Sequence, residues 1–168
     1  HIIANLDMWQ HGFFYYVGQL LGCYQKNKYE WARCPELEHG VDAKNINITE
    51  DGGEAMRLFS GGVEPADIAQ GALGDCWLLA SLAAIAEKHS HLIESAYLTR
   101  KASVCGLYRI KIYDVFNGTP KWTVYTIDDF VPVENGTKTP MFCKPHGSEM
   151  WVLLMEKVFA KMMVCLLS

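Results

Sequence analysis

The segment from Asp67 to Leu79 contains residue types that suit nucleophilic catalysis. Gly71 and Gly74 permit a tight irregular loop, and that loop leads into a predicted helix with Cys76 at its first turn or cap. The helix dipole and the unpaired N–H groups at this end favour a thiolate over a thiol. Gln70 lies six residues upstream of Cys76. Its side-chain amide and the backbone N–H of Cys76 are therefore candidate donors to the oxyanion of a tetrahedral intermediate.

A structural role for Cys76 is the alternative hypothesis. A cysteine followed by Trp77 and Leu78 is ordinarily a small, buried apolar residue. Here a glutamine and two loop glycines precede a Cys-Trp pair at a predicted helix start. That combination favours the nucleophile over the structural cysteine.

The elements around this segment indicate an α+β fold. Residues 77–88 are good helix formers, apolar nearly all round, which predicts a buried helix, and a second amphipathic stretch follows at 92–98. Residues 108–116 and 121–128 alternate with a period of two, and Asn117-Gly118 lies between them, which predicts an antiparallel hairpin. The order helix, hairpin, helix is typical of α+β domains.

The last predicted helix starts near Ser148, a suitable N-cap residue. Its apolar side is expected to consist of Trp151, Leu154, Val158 and Phe159. Its other side is expected to hold the charged residues Glu156, Lys157 and Lys161. Residues 1–30 show no clear periodicity, and residues 34–65 are rich in turn formers, which indicates a long extended or looping lead-in.

Composition excludes several classes of protein. The chain has 168 residues, of which 50% are hydrophobic and 20% charged, as in an ordinary soluble globular domain and unlike a disordered one. A net charge of −4 without runs of like charge gives no reason to expect nucleic acid or an acidic membrane as a partner. The apolar windows 13–21 and 150–167 are too short or too charged to span a bilayer, and the start His1-Ile2-Ile3 shows no secretory signal.

The six cysteines leave two interpretations open. They form no Cys-x-x-Cys pair, and their number alone does not separate free thiols from a disulfide framework. Three glycosylation sequons would suit a secreted disulfide-bonded binding protein, but two of them are Asn-Gly pairs that are better explained as turns. Cys143 and His146 have a ligand-like spacing without a second pair, so a zinc site is not expected there.

The run from Gln70 through Gly71, Asp75, Cys76 and Trp77 to Ala80 resembles the catalytic-cysteine signature of the calpain family of papain-like cysteine proteases. The resemblance extends over several flanking segments: Trp31 to Glu36, Leu58 to Asp67, Trp122, Ile127 to Pro132, and Glu149 to Lys157. It implies a calpain-like catalytic subdomain over residues 31–161. Residues 1–30 stay unassigned, and residues 162–168 form a tail that departs from the family pattern.

The resemblance implies roles for two residues and the absence of two others. Cys76 would be the nucleophile of peptide-bond hydrolysis and Gln70 an oxyanion-hole donor. In the family, the general-base His and the Asn that orients it come from a second subdomain, in sequence beyond this chain. None of the six histidines has the matching context: His1, His11, His39, His89, His91 and His146. The chain is therefore expected to be the nucleophile half of the papain-like core, inactive alone.

The resemblance also implies a calcium site. Its carboxylates would be Asp67 and Glu149, with backbone oxygens from Ser60 and Gly62, and Ca²⁺ prefers such hard oxygen ligands. The alternative is purely structural: Asp67 caps the turn that follows it, and Glu149 lies in the first turn of the last helix, where the dipole favours it. Both interpretations stay open at this point.

The resemblance implies protein or peptide substrates. It also implies an intracellular, cytoplasmic location, because a reactive thiolate requires a reducing compartment. The rival function is a calpain-like interaction or calcium-responsive module without proteolytic activity. Intact downstream His and Asn residues would support the protease, and their replacement would support the module.

Overall fold

Two helices and four strands form the described part of the chain, so the α+β prediction is confirmed. The computed structural model describes residues 29–37, 57–71, 75–116, 118–145 and 147–164. In chain order the elements are β1 (Tyr29–Arg33), α1 (Cys76–Ala96), β2 (Leu107–Asp114), β3 (Lys121–Asp128), β4 (Phe130–Glu134) and α2 (Trp151–Val164). Short 3-10 turns occupy Cys34–Glu36 and Pro65–Asp67.

The predicted hairpin is confirmed as the antiparallel pair β2–β3. Its register runs from Leu107 opposite Asp128 to Asp114 opposite Lys121. Alternation along the strands turns one set of side chains into the core: Tyr108, Ile110, Tyr125 and Ile127. The opposite face is exposed, and there the Lys111 ammonium lies 5.2 Å from the centre of the Trp122 ring.

A second two-stranded ribbon, β1–β4, was not expected from the sequence. Trp31 pairs with Pro132 in this antiparallel ribbon, and a proline within a strand run ordinarily argues against a strand because it cannot donate to the ladder. The ribbon ends in an ion pair, in which Nε and Nη2 of Arg33 donate to Asp129 at 2.9 and 2.8 Å. Gly106 packs against this pair at φ +71°, where an added Cβ would lie 2.6 Å from Nη2 of Arg33.

Helix α1 is longer and less buried than predicted. It absorbs most of the second amphipathic stretch and ends at Ala96, with a kink at His89, whose φ is −141°. One face packs into the core through Leu78, Leu79, Leu82, Ala86 and Ile93. The prediction of burial all round is wrong for this structure, because Trp77 and Leu92 are each 52% exposed. The described residues cover only one side of the helix.

Helix α2 starts at Trp151, so the predicted start near Ser148 is wrong. The residues just before the helix pair with Arg57 instead, whose backbone N–H donates to the Ser148 carbonyl at 2.7 Å and whose carbonyl accepts from Met150 at 3.0 Å. The expected charged side is also wrong for two residues, because Glu156 and Lys157 are buried. The Lys157 ammonium donates to the Asp128 carboxylate and the Phe130 carbonyl, which accounts for its burial.

The core lies between α1, α2 and the inner face of the hairpin. Ile110 and Ile127 are fully buried there, as are Tyr97 and Leu154. No helix within the described residues combines the length and apolar character needed to cross a bilayer.

We predict that Ile127→Ala destabilises the chain by about 3 kcal/mol, because it removes a fully buried side chain and leaves a cavity. Val124→Ala on the exposed face of the same strand is the matched control and should cost less than about 1 kcal/mol. Urea unfolding followed by circular dichroism measures both. Equal losses for the two variants would contradict the assignment of the inner and outer faces.

Candidate active site

Cys76 is the first residue of α1, and its side chain is exposed. The carbonyl of Asp75 accepts the first helical hydrogen bonds, from Leu78 at 2.8 Å and Leu79 at 3.2 Å. The thiol group therefore lies at the N-terminal end of a 21-residue helix, where N–H groups point outward and the dipole favours negative charge. This is the position that the nucleophile prediction requires, and Cys76 has the access to solvent that attack on a substrate needs.

The other described cysteines differ from Cys76 in placement. Cys34 and Cys143 are buried, and burial raises the pKa of Cys34 to about 12 and also raises that of Cys143. Cys105 is exposed, and hydrogen bonds from Ser103 and from the backbone of Leu107 lower its pKa. All four are free thiols. Among the cysteines that the structure describes, Cys76 is the one at a helix N-terminus with an exposed side chain.

A close backbone approach holds the segment that carries Gln70. Ala69 bridges to Lys144, whose N–H donates to the Ala69 carbonyl at 3.0 Å. At Gly71, an added Cβ would lie 1.7 Å from the carbonyl oxygen of Phe142, so only glycine permits this approach. Gln70 lies between these two anchors with its side chain exposed. Residues 72–74, including the predicted loop residue Gly74, lie outside the described part of the chain.

The two predicted calcium carboxylates lie together, although 82 positions separate them in the sequence. Nε1 of Trp151 donates to Oδ2 of Asp67 and to Oε2 of Glu149, each at 3.1 Å. The backbone N–H of Ser60 donates to Oε1 of Glu149 at 2.5 Å, so the predicted carbonyl-bearing loop passes beside this carboxylate. Gly61 and Gly62 turn that loop with φ values of +89° and +120°, which favour glycine.

Asp67 and Glu149 are neighbouring buried acids, so their negative charges would repel each other. Burial, and next the negative charge of Asp67, raise the pKa of Glu149 to about 8. Of the two structural alternatives, the one for Glu149 is wrong in this structure, because the last helix starts at Trp151. Asp67 accepts the N–H of Glu64 at 2.8 Å and so closes the turn before it, and Glu149 precedes α2 instead of lying in its first turn. The two carboxylates are hard oxygen donors of the kind that Ca²⁺ takes.

The described histidines lie far from the nucleophile. His89 and His91 are thirteen and fifteen residues beyond Cys76 on α1, which is about 20 Å along the axis at 1.5 Å per residue. Their rings form a T-shaped pair with centroids 6.1 Å apart. His1, His11, His39 and His146 lie outside the described residues. Neither described histidine is therefore placed to act as a general base for Cys76.

Sequence reasoning missed one residue of the carboxylate site. Trp151 was assigned to the apolar side of the last helix, and its ring is indeed fully buried. Its N–H, however, is the donor that Asp67 and Glu149 share. The available signal was that a buried indole needs a hydrogen-bond acceptor, and Glu149 is two residues away.

A sequence model described as calpain family cysteine protease matches residues 15–167. The chain belongs to the calpain family of cysteine proteases. Its helices and small antiparallel sheets are consistent with the first subdomain of the calpain protease core.

Individual relatives agree with this assignment. The chain is 30% identical over 133 residues to calpain-type cysteine protease ADL1 of Oryza sativa subsp. japonica and 32% identical over 133 residues to calpain-type cysteine protease DEK1 of Zea mays. Each match covers 79% of this chain and 6% of the relative. The calpain-2 catalytic subunit of Gallus gallus is 35% identical over 106 residues, which is 63% of this chain and 15% of the relative. The chain thus spans a small fraction of the length of these calpains.

We predict that iodoacetamide alkylates Cys76 and Cys105 in the native chain, because their thiols are exposed to the reagent. The buried thiols of Cys34 and Cys143 should react only after the chain is unfolded. Brief treatment with iodoacetamide, a quench, and peptide mass spectrometry test this. The fully denatured chain is the control, in which the alkylated peptides of all four cysteines should be detected. Labelling of Cys34 as fast as Cys76 would contradict the described burial.

Proposed function

We propose that this chain is the nucleophile-bearing half of a calpain-type cysteine endopeptidase that hydrolyses peptide bonds in protein substrates. The observation that carries the proposal is the exposed Cys76 at the first residue of α1, in a chain of this family. The catalytic subdomain corresponds to residues 31–161. A second subdomain, in sequence beyond this chain, supplies the His and Asn that complete the triad.

In the proposed reaction Cys76 is the nucleophile and Gln70 is a donor to the oxyanion. The Cys76 thiolate attacks the carbonyl carbon of the scissile peptide, and the carbonyl oxygen takes the negative charge. The backbone N–H of Cys76 and the side-chain amide of Gln70 donate to that oxyanion. The His of the second subdomain then protonates the leaving amine, and a water molecule hydrolyses the thioester to release the acid. The anchors on either side of Gln70 restrict the backbone from which this donor reaches the oxyanion.

The exposed face of α1 supports a core in two parts. Trp77 and Leu92 are 52% exposed, and Ile85 on the same helix is 36% exposed. A helix that is apolar nearly all round is normally covered on both sides. In the proposed protease, further protein covers this face beside the nucleophile, and neither described histidine serves Cys76 as a general base.

We propose calcium as the cofactor, held by Asp67 and Glu149 with backbone oxygens from Ser60 and Gly62. The support is the pairing of two acids at one indole N–H, which brings like charges together in a buried position. A bound divalent cation supplies the positive charge that offsets their repulsion. Because Asp67 lies three residues before Gln70, the same ion would restrain the segment that leads to the oxyanion donor.

A calcium-responsive module without proteolytic activity is the second candidate. It is favoured by the same paired carboxylates, since that site requires neither the His nor the Asn of a triad. We place the protein inside the cell, in the cytoplasm, because the four described cysteines are free thiols, which suits a reducing compartment. Neither nucleic acid nor a membrane-spanning segment forms part of the proposal.

We predict no casein cleavage by the 168-residue chain alone, and calcium-dependent cleavage when the His- and Asn-bearing subdomain of the chicken calpain-2 catalytic subunit is fused after it. Cys76→Ala in the fusion should abolish cleavage, because the acyl intermediate requires the sulfur. Cys105→Ser, which removes the other exposed described cysteine, is the matched control and should retain it.

Two results would contradict the protease proposal or its division into halves. Cleavage by the chain alone that Cys76→Ala removes would show that the chain holds its own base. A folded fusion that binds calcium and reacts with iodoacetamide at Cys76, but cleaves nothing, would favour the non-proteolytic module.

We predict that isothermal titration detects Ca²⁺ binding and that Glu149→Gln or Asp67→Asn weakens it about tenfold or more, because each removes a charged oxygen ligand. Glu87→Gln, an exposed acid on α1, is the control and should leave the affinity unchanged. The calcium site would be removed from the proposal if titration of the folded chain with Ca²⁺ gave no heat of binding and the Asp67→Ala variant gave the same titration as the parent.

A further inference from the structure

Three buried side chains converge directly behind the nucleophile. Asp75 precedes α1, Cys143 lies in the loop before α2, and Glu156 lies on α2. They are 8%, 0% and 5% exposed. One ligand atom from each, a carboxylate oxygen or the sulfur, lies within 4.8 Å of the others. The proposed function uses none of these three side chains.

The hydrogen bonds of this cluster are incomplete. Oε2 of Glu156 accepts the backbone N–H of Cys143 at 3.2 Å. With both carboxyl groups ionised, no described donor reaches Oδ1 or Oδ2 of Asp75 or Oε1 of Glu156, whereas a proton on Glu156 would hydrogen-bond the two acids to each other. Buried carboxylate oxygens without donors are costly, so a proton or a cation belongs between them.

The ammonium of the residue that follows Glu156 does not supply that charge. Lys157, adjacent to Glu156, donates to Asp128 and to the carbonyl of Phe130. Burial, and next the Asp75 carboxyl, raise the pKa of Glu156 well above its ordinary value. Burial and Glu156 likewise raise the pKa of Cys143. Without a cation, burial favours the protonated forms of Glu156 and Cys143.

We propose that Asp75, Cys143 and Glu156 bind one divalent transition-metal ion of the zinc class. A thiolate with two carboxylates suits Zn²⁺, which accepts sulfur and oxygen ligands, and does not suit Ca²⁺, which takes six to eight oxygens. At metal–ligand distances of about 2.0–2.3 Å, tetrahedral ligands are separated by about 3.3–3.8 Å. Side-chain adjustments of about 1 Å bring this cluster to that spacing.

Room for a fourth ligand lies beside the cluster. A cavity of about 10 Å³ is bordered by Cys143 and Glu156 together with Val131, Phe142 and Leu153. That volume is about what one water molecule requires. Three protein ligands and one water form a common zinc coordination. On binding, the proton of the Cys143 thiol and the proton held between the carboxylates leave to solvent.

The site differs from both metal hypotheses drawn from the sequence. It does not use His146, and it shares no residue with the Asp67–Glu149 pair. A bound ion would join the start of α1, the loop at residue 143 and α2 through metal–ligand bonds. Neither substrate nor a second subdomain is required for binding, so the proposal holds whether or not the chain forms part of a protease.

Cobalt is the probe for this site, because Co²⁺ replaces Zn²⁺ and a thiolate ligand gives it a charge-transfer absorption in the near ultraviolet. The chain with Cys76→Ser, which removes the exposed neighbouring thiol, is titrated with Co²⁺. We expect one equivalent to bind with the thiolate absorption, to be displaced by Zn²⁺, and to be unaffected by excess Ca²⁺. Cys143→Ala should abolish the absorption, whereas Cys105→Ser should retain it.

Carboxylate variants test the other two ligands. Asp75→Asn and Glu156→Gln should each weaken cobalt binding about tenfold or more, and the exposed control Glu87→Gln should not. Circular dichroism establishes that each variant is folded. A thiolate absorption that persists in Cys143→Ala, or cobalt affinity unchanged in both carboxylate variants, would overturn the site.

Zinc-edge X-ray absorption on the Cys76→Ser chain needs no variant within the cluster. A shell of one sulfur with oxygen neighbours supports the proposal. A shell of nitrogen and oxygen alone, or no zinc retained after desalting at neutral pH, overturns it and leaves a shared proton as the sole compensation for the two acids.

Discussion

Trp151 is the residue through which the parts of this fold are connected. Its indole is fully buried, and its N–H is shared by Asp67 and Glu149, so the turn before the Gln70 segment is tied to the start of α2. Its backbone carbonyl accepts the hydroxyl of Tyr97 at 2.6 Å, which ties the end of α1 to the same point. One residue thus connects the end of α1 with the proposed calcium ligands, through its backbone carbonyl on one side and its indole N–H on the other.

Two pairs of buried acids flank the nucleophile segment, and they share one physical problem. Asp67 with Glu149, and Asp75 with Glu156, place two acids together away from water, and burial, followed by the neighbouring aspartate, raises the pKa of each glutamate. Such pairs do not stabilise a hydrophobic core, because burying a charge costs folding free energy unless an opposite charge or hydrogen bonds compensate it. The proposed donor sets differ, because the first would add backbone oxygens to the acids and the second would add a thiol. The proposed ions therefore differ in softness, and one does not substitute for the other.

Local periodicity predicted the elements whose stabilising contacts are close in sequence. The hairpin and the helix after Cys76 were identified because alternation and apolar spacing are properties of short windows. The ribbon β1–β4 was not, since its ion pair joins Arg33 to Asp129 across 96 positions and Pro132 conceals the strand. The same limit explains the site. Asp67 and Glu149 could be named by resemblance, whereas the partners of Glu156 come from two distant segments, and a helical-face argument assigns any glutamate to solvent.

The uneven burial of the two helices bears on how such a fold can do chemistry. Ten of the thirteen residues of α2 whose burial is described are buried, including Glu156 and Lys157, whereas α1 is covered on one face only. A nucleophile on the fully covered helix would be rigid but out of reach. Cys76 instead lies at the start of the partly covered helix, where its side chain is exposed. In the proposed protease the open face is where substrate and second subdomain meet, so the exposure that leaves Trp77 unprotected is a requirement of the reaction.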